Sequence, residues 1–230
     1  MSALPPCSLV ASYCEAIYRP TAALQDWSHY DPGLDDGVCW ALQRLDGFDL
    51  VVFRGSDNLP DWIHDLMVLP LGHLRPLATR IGHVHAGFFA GLEQVWAELQ
   101  PLLSQPVVLS GHSLGAARAD LLCGLMVADG LPPAGRIVFG EPKPGLQDAA
   151  DLISHIPAKP WRNGNGSHHD LVTDAPLTLP PDLGFVRAVP NGAVTAAPAG
   201  DVIEKLGPFA WHHMPLYHTG IIALEQEQSK

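Results

Sequence analysis

The sequence is poor in basic residues, with 13 lysines and arginines against 24 aspartates and glutamates in 230 residues and a formal net charge of -11. Nucleic acid and anionic membrane surfaces repel such a chain, so neither is expected as a partner. No apolar run approaches the roughly 20 residues of a membrane-spanning helix. The N-terminus lacks the basic start and long apolar core of a secretory leader. A cytoplasmic location is therefore the default expectation, with secretion by another route left open. Cysteine is also scarce: Cys7, Cys14, Cys39 and Cys123 contain no C-x-x-C pair. Cys123 lies in an apolar stretch and reads as a buried free thiol, while the disulfide state of the four stays open. Hydrophobic residues make up 47% of the chain, which argues against disorder. The length suffices for one sizeable core, and a single domain over residues 1–230 is expected.

What the chain does have is the stretch Val107-Val-Leu-Ser-Gly-His-Ser-Leu-Gly115. An apolar run passes through G-H-S-L-G into an alanine- and leucine-rich segment, which reads as a buried parallel strand turning sharply into a helix. Gly111 and Gly115 flank Ser113 because such a turn brings strand and helix too close for a Cβ. The hydroxyl of Ser113 is lifted to the apex as a nucleophile. The N-terminus of the following helix points at the same spot, so the N–H of Leu114 faces any oxygen that Ser113 attacks. A bare G-x-S-x-G is weak evidence in a glycine-rich chain; the strand before it and the helical periodicity of residues 116–126 carry the reading.

Ahead of the elbow, residues 9–18 hold apolar side chains at helical spacing, ended by Pro20, and residues 26–36 are turn-rich. Residues 38–42 and 48–53 read as two strands around the Asp46-Gly47 turn, with Asp49 the one charge in the second. Residues 82–103 read as one amphipathic helix with an irregular start, its apolar face formed by Phe88, Leu92, Val95, Leu99 and Leu102. His83 and His85 alternate just before it, a spacing open to metal binding but better suited to capping or burial. Beyond the elbow, residues 136–139 and 158–162 are expected as core strands, the second with Pro160 marking a bulge or edge position. Residues 184–188 are expected as a further strand.

The string VVFRGSDNLPDWIHDL resembles the strand, oxyanion turn and lid of the class 3 lipases, a group that includes fungal triacylglycerol lipases and feruloyl esterases. VHAGFFAGLEQVW resembles that family's H-x-G-F helix, GHSLGAA its nucleophile elbow, FGEPKPG its next strand and loop, and RNGNGSHHDLV its approach to the catalytic aspartate. These blocks follow one another in the family's order from about residue 51 to residue 172. The resemblance implies an α/β-hydrolase fold, a mostly parallel central sheet with helices on both faces and a short lid. It implies a serine hydrolase that cleaves carboxylic esters with a Ser-His-Asp triad and needs no cofactor or metal.

Carried over residue by residue, Ser56 matches the position whose N–H and hydroxyl complete the oxyanion site with Leu114. Residues 57–71 match the lid, including Leu59, Trp62, Ile63, Leu66 and Met67. These are too apolar to lie exposed and are expected over an apolar groove. For Trp62 and Asp65 the structural reading is favoured, with Trp62 packing on the sheet and Asp65 pairing with Arg54. Asp170 matches the triad acid, although two histidines precede Asp-Leu-Val in this chain, and Asp174 competes with it. The base must follow the acid in chain order, and His212, His213 and His218 stand close together. His212 with Met214 and Tyr217 fits the family's H-x-M/L-x-x-Y spacing, with His213 as the alternative base and Tyr217 holding the helix against the body. The apolar lid favours lipid-like acyl esters as substrates, at a lipid–water interface. A phospholipase or feruloyl esterase lies within the same enzyme class. Outside it stand a catalytically silent hydrolase fold used as an interaction module and an interfacial membrane-binding protein without chemistry.

Overall fold

Runs of β-branched and aromatic residues lie side by side as strands, because each presents alternate side chains to two faces that helices then cover. The computed structural model describes residues 3–33, 37–56, 76–165, 167–175 and 185–230. Seven strands form the main sheet, in the spatial order β1 (His29–Asp31), β2 (Trp40–Leu45), β3 (Phe48–Phe53), β6 (Val107–His112), β7 (Gly135–Phe139), β8 (Ala158–Asn163) and β9 (Gly192–Val194). The first three pair antiparallel, and from β3 to β9 every pairing is parallel. A separate antiparallel hairpin consists of β4 (Pro76–Thr79) and β5 (Gly82–His85).

Alternation along the strands divides the core in two. Val51, Phe53, Leu109 and Val138 face helices α2 (Ala86–Phe89), α3 (Leu92–Leu99) and α4 (Leu114–Ala128), meeting Phe88, Leu92, Val95, Trp96 and Leu122. Leu50, Val52, Val108, Ile137 and Phe139 face α1 (Cys7–Ala16) and α7 (Met214–Gln228), meeting Val10, Ala11, Cys14, Tyr217 and Ile221. Two shorter helices, α5 (Gln147–Ile153) and α6 (Gly200–Leu206), complete the set among the described residues. The expected layout, a mostly parallel sheet with helices on both faces, is therefore the observed one. Asp49 is tolerated inside β3 because its carboxylate accepts the N–H groups of Ser104 at 2.6 Å and Gln105 at 3.0 Å. All four cysteines are free and buried.

Three expectations change. Residues 82–103 are not one helix: 82–85 form β5, and the helical part breaks at Gly91, whose φ of 80° lies in the left-handed region. His83 and His85 thus alternate on a strand. His83 reaches Asp148 at 2.7 Å, and the ring of His85 stacks 4.1 Å from that of Phe88. Pro160 sits without a bulge in β8, which is not an edge strand of the sheet, and pairs with Val138 on the β7 side. The carbonyls of Pro157 and Trp161 accept from Arg136 and Gly140 on the β7 side, so strand alternation turns the nitrogen of Pro160 the other way. There β9 begins only opposite Trp161, and the missing N–H deprives no partner. Residue 184 lies outside the described residues, and residues 185–188 form no strand, only a single bridge from Val186 to Gly145.

Candidate active site

The site collects beyond the carboxyl ends of the parallel strands, where loops leaving adjacent strands converge. Ser113 follows β6 directly and is the only non-glycine residue with positive φ among those described, at 60°. Such a conformation is strained, and it lifts the side chain off both strand and helix. Its N–H donates to the carbonyl of Phe139 at 3.0 Å, which fastens the turn to β7. A Cβ on Gly111 would lie 2.3 Å from the backbone of Gly115, and one on Gly115 would lie 2.2 Å from the carbonyl oxygen of Phe53. Both contacts are with backbone, which explains the glycines on either side of the serine. Leu114 is the first residue of α4, so its N–H belongs to the first turn, which no intrahelical carbonyl receives.

The acid and base come from opposite ends of the C-terminal part of the chain. Asp170 follows β8 and caps a short 3-10 turn, Leu171–Asp174, accepting the N–H of Val172 at 2.9 Å on Oδ1. Its Oδ2 lies 2.5 Å from Nδ1 of His212 and also accepts the hydroxyl of Tyr217. All three side chains are buried. Burial alone would raise the Asp170 carboxyl, but the charge of His212, the hydrogen bond to it and the Tyr217 hydroxyl outweigh burial and hold it below the usual carboxylate range. Burial first, and then the charge of Asp170, push the Tyr217 phenol well above its ordinary value, so it remains a donor.

A carboxyl depressed in the folded state adds stability that is fully present above its unfolded value, near pH 4, and is lost as pH falls through the lower folded value. The parent is accordingly expected to lose stability relative to Asp170→Asn as pH is taken from about 6 to about 3. Urea denaturation of both at each pH reads this. A difference that stays constant or grows on acidification contradicts the assignment of an ionised, hydrogen-bonded Asp170.

The remaining two reactive atoms have no hydrogen-bond partner among the described residues. Oγ of Ser113 and Nε2 of His212 are both buried and unpaired. Because Nδ1 of His212 faces a carboxylate, Nδ1 carries the proton and Nε2 presents a lone pair. Asn163, buried at the end of β8, fastens the loop before His212: its amide donates to the carbonyls of Ala196 at 3.0 Å and Trp211 at 3.2 Å. Gly140 lies under the acid–base pair with φ at 57°, and a Cβ there would lie 2.8 Å from both Asp170 Oδ2 and His212 Nδ1. Gly140→Ala should wedge the pair apart and cost activity on the order of 10²-fold, the scale of a misplaced catalytic group. Steady-state kinetics beside a melting curve would show a loss of rate larger than any loss of stability; an unchanged kcat contradicts this placement.

The other candidates are placed elsewhere. Asp174 pairs with His169 at 2.7 Å and with Arg162 at 3.9 Å. His218 is tied to Glu15 at 2.8 Å in the packing of α7 on α1. His213 lines the groove next to His212, half-buried, but the hydrogen bond to Asp170 belongs to His212. His212 ends a short 3-10 segment, Gly207–His212. His168 stacks on Trp211 with ring planes 4° apart.

Ser56, three residues beyond β3, lines a groove of about 460 Å³ together with Tyr18, His112, His212, His213 and Met214. The lid positions Leu59, Trp62, Ile63, Leu66 and Met67, and with them Asp65, lie outside the described residues. Sequence reasoning misses Tyr18, Gly140 and Asn163, and gives His112 no chemical role. No local pattern signals any of them, since each acts through a residue distant in the chain. Tyr217, expected to hold its helix against the body, does so with its hydroxyl on Asp170.

A strained serine between a parallel strand and a helix, with a buried carboxylate–imidazole pair carried on segments that follow the later strands, defines an α/β-hydrolase fold. A family model described as Lipase (class 3) matches residues 50–179, more than half of the sequence, and the chain belongs to that family. It is 30% identical to a lipase of Rhizomucor miehei over 151 residues, covering 60% of this chain and 39% of that protein. It is 23% identical to Phospholipase A1-II 1 of Oryza sativa subsp. indica, covering 95% of this chain and 60% of that one. The chain thus spans 39% to 60% of the length of these curated relatives. Among solved structures it matches a triacylglycerol lipase whose catalytic centre is a serine protease triad, with a TM-score of 0.61, 19% identity and 94% of each chain covered. That likeness shows the fold.

Proposed function

We propose that the chain is a serine hydrolase of carboxylic esters, acting on lipid-like acyl esters through an acyl-enzyme. One observation carries this reading: Asp170 holds His212 by Nδ1 at 2.5 Å, while Nε2 of His212, a residue that lines the groove, and Oγ of Ser113 are both buried without a partner among the described residues. The hydrogen bond to Asp170 fixes the tautomer and stabilises the imidazolium as Nε2 takes the proton of Ser113. The serine oxygen attacks the ester carbonyl, and the N–H of Leu114 with the N–H and hydroxyl of Ser56 receives the oxyanion. Nε2 then returns the proton to the leaving alcohol, and water discharges the acyl group by the same route. The apolar character of residues 57–71 and membership of the lipase family support a lipid-like acyl chain presented at an interface.

The rice phospholipase A1, aligned with 95% of this chain, favours a second reading, in which the acyl chain is taken from a phospholipid. Acyl release from p-nitrophenyl esters of two to sixteen carbons, a triacylglycerol emulsion and phosphatidylcholine vesicles separates the two. Turnover that rises with chain length and steps up when triacylglycerol passes from monomers to emulsion is the expected result. Faster release from phosphatidylcholine than from triacylglycerol favours the second reading, and no turnover of any ester overturns both.

A further inference from the structure

Acyl transfer as described uses three loops, and one side chain outside the triad contacts two of them directly. Tyr18 follows α1 and lines the groove with Ser56, His112 and His212. Its hydroxyl oxygen accepts the N–H of Gly55, the residue before Ser56, at 2.9 Å. The same hydroxyl lies 3.0 Å from Nδ1 of His112, the residue before Ser113, and 3.3 Å from the carbonyl of His112. Nε2 of His112 lies 2.7 Å from the backbone carbonyl of His212. The rings stack in the same sequence, Tyr18 edge-on to His112 at 5.7 Å and His112 tilted against His212 at 4.3 Å.

The carbonyl at one end of these contacts sets the tautomer of His112. A carbonyl only accepts, so Nε2 of His112 carries a hydrogen toward His212. Burial, reinforced by the nearby His212 charge, keeps the imidazole of His112 neutral by pushing it well below its ordinary range. A neutral ring with its hydrogen on Nε2 has an acceptor at Nδ1, and the hydroxyl of Tyr18 donates there. The oxygen of Tyr18 in turn receives the N–H of Gly55. One polarised chain runs from the amide beside the oxyanion turn, through Tyr18 and His112 beside the nucleophile, to the backbone of the base.

We propose that Tyr18 is a positioning residue that, through His112, sets the oxyanion turn against the Ser113–His212 pair. This rests on the acyl-transfer reading of the site. Donors aimed at an oxyanion act only while held at hydrogen-bond distance from it, and a displacement of tenths of an ångström is felt in the transition state before it is felt in substrate binding. Removing the hydroxyl leaves the Gly55 amide and the His112 Nδ1 without that partner, while a phenylalanine ring still lines the groove.

Tyr18→Phe is expected to lower kcat on a soluble p-nitrophenyl ester by about 10- to 30-fold with KM within about twofold. The affinity of an alkyl boronic acid, which adds to Ser113 as a tetrahedral adduct, should weaken by the same factor, and that of the carboxylic acid product should hold. A merely structural role would move neither selectively. His112→Gln keeps a donor for the His212 carbonyl and removes the acceptor for Tyr18, so the double variant should lose no more than the worse single one, as residues of one chain do. Parent-like kcat and boronate affinity in Tyr18→Phe, or losses that multiply in the double variant, overturn the proposal and leave acyl transfer standing. A parent that turns over no ester and leaves Ser113 unlabelled by a fluorophosphonate removes the acyl-transfer reading itself.

Discussion

Ser113→Ala should leave a folded protein whose ester hydrolysis is down on the order of 10⁴-fold or more, the loss that follows removal of a nucleophile that works as a unit with its base. The fold should survive for a specific reason. Oγ of Ser113 makes no hydrogen bond among the described residues, so its removal orphans no partner, and alanine meets the same φ of 60° that serine already bears. Loss of an unpaired buried hydroxyl costs little and can stabilise. Residual hydrolysis within about tenfold of the parent, in a variant with parent-like melting, would show that the groove's chemistry does not run through Ser113.

His212→Ala should be as severe as Ser113→Ala, and the double variant no worse than either, because both remove the same proton transfer. His213→Ala should fall by no more than about tenfold. The two histidines are adjacent, yet their surroundings differ: His212 is fully buried with Nδ1 on Asp170, whereas His213 is partly exposed on the groove wall. Backbone geometry prevents both from facing one carboxylate. Kinetics of the three variants on one soluble ester decide the matter. An active His212→Ala beside an inactive His213→Ala would transfer the base to His213, against the hydrogen bond that the structure contains.

The elbow is the most legible part of the chain because its determinants are local: an apolar strand, two glycines forced by backbone approach, and a helix that begins at once. Asp170 and His212 are readable only through family resemblance and chain order, since a solvated aspartate and three neighbouring histidines carry no local mark of partnership. Contacts between distant residues are invisible in the sequence. Tyr18 lies 94 residues from His112 and Tyr217 lies 47 from Asp170, and neither spacing follows from any period of helix or strand. The helix expected over residues 82–103 fails for another reason. Its apolar positions do recur at helical spacing, but a hairpin claims the first four residues, and Gly91 breaks the remainder. Arg136 likewise lies in a strand that periodicity assigns to the core, and its charge is accommodated by Asp120 on α4, 2.6 Å away and equally buried, with the buried Glu141 carboxyl nearby.

Whether Ser113, His212 and Asp170 act as one acyl-transfer unit is tested most directly by exposing the parent, Ser113→Ala and His212→Ala to an alkyl fluorophosphonate and mapping the adduct by peptide mass spectrometry. A single unit requires one adduct on the parent, located at Ser113, none on Ser113→Ala, and labelling of His212→Ala slowed by several orders of magnitude. An adduct on any other residue, or His212→Ala labelled at the parent's rate, would contradict it.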